Sequence, residues 1–243
     1  MRQRVTRRLK AVGWDTFVPA FYWGCTYLLR ALLTVVVRWK VTGRERVPRE
    51  GALLVVSNHR NNADPPIIGA GIASRRVRWM AKIELFSYPF GVVPRLWGAF
   101  PVRRYDADLA AMLNAERILK RGGVLGMFPE GTRSKTGYLG EPHPGTALIA
   151  LRSGATVLPC AVIGTEKLGN PLNLLKRPRF AVRIGEPIAV TAVRRPTAEQ
   201  VDELTARIFE AIKAMLPATY LAPYTGSEGT TTGEHDGPDH PRE

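Results

Sequence analysis

The residues with the clearest capacity for chemistry are His59 and Asp64, five positions apart in the stretch Ser57-Asn58-His59-Arg60-Asn61-Asn62-Ala63-Asp64-Pro65-Pro66. A histidine titrates near neutral pH and can take the proton of an alcohol. A carboxylate on its other ring nitrogen fixes the tautomer and stabilises the imidazolium. The spacer lets Asp64 fold back onto His59 if the loop turns into a helix. The same pair in a polar loop also suits a solvated surface group or a local cap, so the spacing alone does not make it catalytic.

Two further groups can act on an anion. Pro129-Glu130-Gly131-Thr132-Arg133-Ser134 offers a planar guanidinium fork in Arg133, suited to phosphate. Gly131 permits a tight turn and close approach by a ligand. Glu130 is placed to orient Arg133 or to bind a hydroxyl. Gly98-Ala99-Phe100-Pro101-Val102-Arg103-Arg104 delivers two adjacent arginines from an apolar run. It suits a phosphate pocket or a solvated basic edge equally. Lys82 is a further candidate for phosphates, and His143 is read as structural or surface.

The elements that must position these residues follow from local patterning. Ala52–Ser57, Val77–Ala81, Val124–Phe128, Thr156–Ile163 and Arg179–Ile184 are short branched runs that read as strands. Asp106 or Asp108 caps a helix running to Lys120, with Leu109, Met112, Leu113 and Leu119 on its apolar side. Gly145 to Arg152 is a second helix. Thr197 and Gln200 form a capping box before a third, whose Val201, Leu204, Ile208, Ile212 and Met215 make one stripe. Alternating strands and helices imply an α/β domain with a mixed, largely parallel sheet flanked by helices. Strand-end loops of such a sheet open on one edge, where ligands bind.

The 243 residues, 45% of them hydrophobic, suffice for one domain with appendages. The net charge is +14, and the acidic tail 221–243 carries −4 of it, which leaves +18 on residues 1–220. Such a surface suits an anionic partner. Two cysteines, Cys25 and Cys160, make neither a disulfide framework nor a cysteine metal site.

Residues 1–40 combine a basic start with an apolar, aromatic stretch from Phe17 to Val37, closed by Arg38-Trp39-Lys40. No small-residue cleavage site follows, which argues against a signal peptide. A single span is long enough, but Arg30 near its middle costs about 2.5–3.5 kcal/mol. A membrane-docking helix or helix pair lying in the interface fits better, with rings at headgroup depth and basic flanks on anionic lipid. The expected organisation is a docking segment over 1–40, a domain over 41–220 and a disordered Gly/Thr/Pro-rich acidic tail over 221–243.

Four blocks in order carry a resemblance. Asn58-His59 with Asp64, then Phe100-Pro101-Val102-Arg103-Arg104, then Phe128-Pro129-Glu130-Gly131-Thr132-Arg133-Ser134, then Val157-Leu158-Pro159-Cys160-Ala161-Val162 resemble the motif blocks of the glycerolipid acyltransferase family. The nearest branch is the bacterial 1-acyl-glycerol-3-phosphate acyltransferases, and the likeness covers about Val41 to Met215. It implies transfer of an acyl group from a thioester, on coenzyme A or acyl carrier protein, to the free hydroxyl of a lysophospholipid. It implies no metal and no further cofactor. His59 would be the base and Asp64 its orienting partner. Glu130, Gly131, Thr132 and Arg133 match the acceptor-binding block, and Arg104 matches the arginine that ends the second. The implied place is the cytoplasmic face of the cell membrane. Two departures stand out. Arg103 occupies a position that is often acidic, and Asn61 one that is often serine.

Rival readings are a related acyltransferase for glycerol-3-phosphate, a glycolipid or another lysophospholipid; a basic nucleic-acid-binding protein; and a non-catalytic membrane adaptor. The arginines lie at strand ends rather than along a helix with interleaved aromatics, which disfavours nucleic acid.

Overall fold

The computed structural model describes residues 14–87, 91–102, 108–134 and 137–221. Arg103, Arg104, Asp106, the basic start and the acidic tail beyond Leu221 lie outside them. A seven-stranded sheet forms the centre, in the order β1-β7-β6-β2-β5-β3-β4. Its strands are β1 (Arg38–Thr42), β2 (Leu53–Ser57), β3 (Val77–Lys82), β4 (Phe100–Val102), β5 (Val124–Met127), β6 (Thr156–Ile163) and β7 (Arg179–Ile184). All neighbours pair in parallel except β6 with β7. The sheet is therefore mixed and largely parallel, flanked by the helices α1 (Trp14–Val36), α2 (Asp64–Ile72), α3 (Val92–Leu96), α4 (Leu109–Lys120), α5 (Gly145–Ser153) and α6 (Ala198–Lys213).

β2 is buried along its whole length because both faces of the sheet are covered. Leu54 and Val56 pack with α4, α5 and α6, while Leu53 and Val55 pack on the side of α1 and α2. The stripe of α6 is core as expected, and its capping box is formed on both sides. Asp108 caps α4 by accepting from the Ala111 N–H. The apolar face of α4 differs from expectation. Leu109 and Leu113 are exposed, and Ala111, Ala115, Ile118 and Leu119 face the core. Small alanines let α4 lie close to the sheet, which turns Leu109 and Leu113 outward, while Leu119 is core as expected.

Helix α1 docks on α2. Tyr22 and Thr26 are buried, and the Tyr22 hydroxyl accepts from the Val77 N–H at 3.2 Å. Arg30 turns inward and donates to the Ala70 carbonyl at the end of α2. The opposite face is apolar and exposed: Ala20, Gly24, Tyr27, Leu28, Ala31, Leu32 and Val35. No helix among the described residues is long and apolar enough to cross a membrane.

Candidate active site

The site is built where β2 and β5 end side by side. Past Ser57, the Asn58 side chain continues the pairing of β2 with β6. Its Nδ2 donates to the Val162 carbonyl at 2.9 Å, and its Oδ1 accepts from the Val162 N–H at 2.8 Å. His59 is then gripped through its backbone by the loop after β5. Its N–H donates to Glu130 Oε1 at 2.8 Å, and its carbonyl accepts from the Ser134 N–H at 3.0 Å.

The turn that follows places Asp64 at the first residue of α2, with Pro65 next, where a missing N–H costs nothing. Asp64 is wholly buried. Its Oδ2 faces His59 Nδ1 at 2.9 Å and accepts from the Arg60 and Asn61 N–H groups at 2.6 and 2.7 Å. Its Oδ1 accepts from Thr165 Oγ1 at 2.6 Å. An ionised carboxylate has about four acceptor sites, so these donors fill it and fix its direction. The His59 ring is thereby set with Nδ1 on the carboxylate, and Nε2 is left for a substrate.

Aromatic rings fix the plane of that imidazole. Phe128 stacks on His59, centroids 3.9 Å apart and planes 13° from parallel, and Trp79 stacks on Phe128 at 5.0 Å. Gly126 makes room for the stack, since a Cβ there would lie 2.5 Å from the Trp79 ring. A second brace comes from the C-terminal end of the described chain. The Tyr220 ring lies under the Arg60 guanidinium at 4.2 Å, and its hydroxyl accepts from the Gly164 N–H and donates to Glu166 Oε2, both at 2.8 Å. Burial, with Glu166 adding to it, pushes the Tyr220 phenol up to about 12, so it stays a donor at neutral pH.

His59 opens on a cavity of about 320 Å³. Its walls are chiefly apolar, including Pro66, Trp79, Met80, Leu85, Trp97 and Phe128, and its polar edge carries Asn62, Lys82 and Arg133. A largely apolar cavity lined by a base and by two cations suits an amphiphile with a long tail and an anionic head.

His59, Asp64, Glu130 and Arg133 thus meet at one sheet edge. Arg133 is exposed at the rim. Gly131 has φ +66° and its Cα faces His143, where a Cβ would come within 2.9 Å of Cδ2. The Thr132 N–H turns back to the Glu130 carbonyl. Glu130 does not orient Arg133. Both its oxygens accept backbone N–H groups, from His59 and from Gly140 at 2.9 Å, so it holds the histidine loop in place. Burial raises its carboxyl above the usual range, against the two N–H bonds that pull it down. Arg104 lies outside the described residues. Thr165, Tyr220, Trp79 and the bracing role of Asn58 escape sequence reasoning. The signal that could have found Thr165 is its place two residues past β6, on the same sheet edge as His59.

Comparison with known proteins agrees with this architecture. The family model described as "Acyltransferase" matches residues 38–163. A 1-acyl-sn-glycerol-3-phosphate acyltransferase of Bacillus subtilis is 27% identical over 196 residues, 79% of this chain and 94% of that protein. One of Borreliella burgdorferi is 31% identical over 129 residues, 52% of this chain and 51% of that protein. The crystal structure of the 1-acyl-sn-glycerophosphate acyltransferase PlsC of Thermotoga maritima shares the fold, with a TM-score of 0.62, 24% identity, and 82% of this chain and 77% of that chain covered.

Proposed function

The chain belongs to the acyltransferase family, and from that premise we propose that this O-acyltransferase moves a fatty acyl group from a thioester to the free hydroxyl of 1-acyl-glycerol-3-phosphate, giving phosphatidic acid. The observation that carries the reading is the His59–Asp64 pair, 2.9 Å apart, with His59 lining a largely apolar cavity that Arg133 and Lys82 also line. The proposed donor is acyl-coenzyme A or acyl carrier protein. The acceptor phosphate sits towards Arg133. The proposed place is the cytoplasmic face of the cell membrane, docked through residues 1–40, with the exposed apolar face of α1 as the part in contact.

The chemistry is direct transfer. His59 Nε2 takes the hydroxyl proton as the oxygen attacks the thioester carbonyl, forming the new C–O bond. The tetrahedral oxyanion collapses, the C–S bond breaks, and the proton on Nε2 passes to the leaving sulfur. Asp64 stabilises the transient imidazolium and does not itself change protonation. A thioester is reactive enough that no covalent enzyme intermediate is needed. General-base help of this kind contributes roughly 10²–10⁴ in rate.

The test is single-turnover transfer from a labelled acyl thioester to lysophosphatidate, with circular dichroism to confirm folding. His59→Ala should lower the rate about 10²-fold or more. Asp64→Asn should also slow it, and the double variant should be far from additive because the two residues act as one unit. A folded His59→Ala protein that keeps most of the wild-type rate removes His59 from the mechanism. Offering glycerol-3-phosphate and other lysophospholipids in the same assay separates the acceptors.

A further inference from the structure

Between β6 and β7 the chain makes a 3-10 helix, Pro171–Lys176, that does nothing for the site just described. Leu175 is 82% exposed and Leu172 67%, and no other large apolar side chain among the described residues is as exposed as Leu175. In a 3-10 helix residues three apart eclipse, so Leu172 and Leu175 share one face. Leu174, on another face, is partly buried and packs against the same core cluster as α1 residues Leu29 and Val36.

We propose that this 3-10 helix is a second point of insertion into an anionic phospholipid bilayer, alongside α1. The inference rests on the docking reading given above and extends it to a segment some 140 residues further along the chain.

Three observations carry it. First, the chain that ends the helix reaches the C-terminal end of α1. Arg177, which ends it, has φ +45° and donates to the Thr34 carbonyl near the end of α1. A non-glycine residue there is uncommon and strained, and it persists only where its surroundings hold it. Second, the charge is of one sign. From Lys167 to Gly185 there is no acid, and Lys167, Lys176, Arg177 and Arg179 are all exposed, as are Arg38 and Lys40 on the neighbouring strand. Apolar side chains rimmed by bases fit an anionic lipid surface. Third, the segment is on the catalytic edge. Because β7 runs against β6, and β1 runs with β7, the amino ends of β1 and β7 lie where β2, β5 and β6 finish. His59 follows β2, three strands from β1 in the sheet order, which is about 14 Å along the edge.

The test uses the full chain and extruded vesicles, either phosphatidylcholine alone or phosphatidylcholine with phosphatidylglycerol, read by co-sedimentation. The wild-type protein should prefer the anionic vesicles. Leu172→Glu/Leu175→Glu should weaken that partition about tenfold or more, because it removes buried apolar area and adds repulsion. The neutral pair Leu172→Ser/Leu175→Ser should weaken it in the same direction, which separates insertion from charge and serves if the glutamate pair fails to fold by circular dichroism. Wild-type binding by a folded serine pair overturns the second contact and leaves α1 docking intact. Failure of the unaltered chain to bind anionic vesicles overturns both. A dimer that the serine pair converts to monomer, with vesicle binding unchanged, assigns the surface to a second copy and also overturns the proposal.

Discussion

Asp64 receives one hydrogen bond from far along the chain, from Thr165, and this is the contact of the site that local patterning hides. His59, Asp64, Glu130 and Gly131 could be singled out because they fall in loops at strand ends, although Glu130 braces His59 rather than orienting Arg133. A threonine after a strand has many, and its value here depends on which neighbour it meets. Thr165 is a positioning residue by this geometry. Thr165→Val keeps its shape and removes the donor, leaving Asp64 Oδ1 short of a partner in a dry site. The turnover rate should fall about tenfold, with the Michaelis constants for both substrates little changed. Thr165→Ser, which keeps the hydroxyl donor, should restore the rate. A purely structural role would lower the unfolding midpoint along with the rate and would not be rescued by serine in the rate alone, so paired urea curves and turnover rates of the Val and Ser variants tell the two apart.

At the level of elements, the central strands were readable and the edges were not. β2, β5 and β6 are buried runs of branched residues, and their limits fell within a residue of expectation. β1 was missed because Arg-Trp-Lys-Val-Thr alternates exposed bases with half-buried apolar residues, the composition of a protected edge. β4 was missed because it is three residues with a proline in the middle, tolerated only at an edge. The face of α4 was assigned from side-chain size, whereas close packing on the sheet selects alanines. β5 carries a testable consequence of its glycine. In Gly126→Ala the new methyl meets three atoms of the Trp79 ring at 2.5–2.7 Å, inside a buried stack. Overpacking of this kind costs typically 1–3 kcal/mol. Urea denaturation should show a loss of about that size. The displaced ring should also tilt Phe128 and slow acyl transfer. Trp79→Phe in the Gly126→Ala background should recover part of both, because the smaller ring yields the space.

For the molecule as a whole, charge and the two-sided core set the surroundings it fits. The positive excess was visible in composition, and so was the apolar N-terminal stretch. The orientation of that stretch was not, because periodicity shows that a helix has two faces without showing which is turned outward. α1 turns its apolar stripe away from the domain and tucks Arg30 against α2. Attraction between +18 on residues 1–220 and an anionic surface is screened over about 8 Å at physiological ionic strength. Raising salt from about 0.05 M to about 0.5 M should therefore release a large part of the protein from anionic vesicles while sparing the apolar contribution. Salt-independent sedimentation would count against an electrostatic share. If the chain docks as proposed, the single reversal in the sheet, β7 against β6, has a consequence for the lipid itself. Had every strand run the same way, the end of α1 would lie at the far edge from His59, a full strand length off. An acceptor would then have to leave the bilayer entirely. Each methylene drawn into water costs about 0.8 kcal/mol, so a chain of about sixteen carbons would face a desorption barrier on the order of 13 kcal/mol. With the reversal, and with the chain docked through α1 as proposed, the acceptor tail would slide from one oily phase into another, and the headgroup alone would need to rise to the histidine.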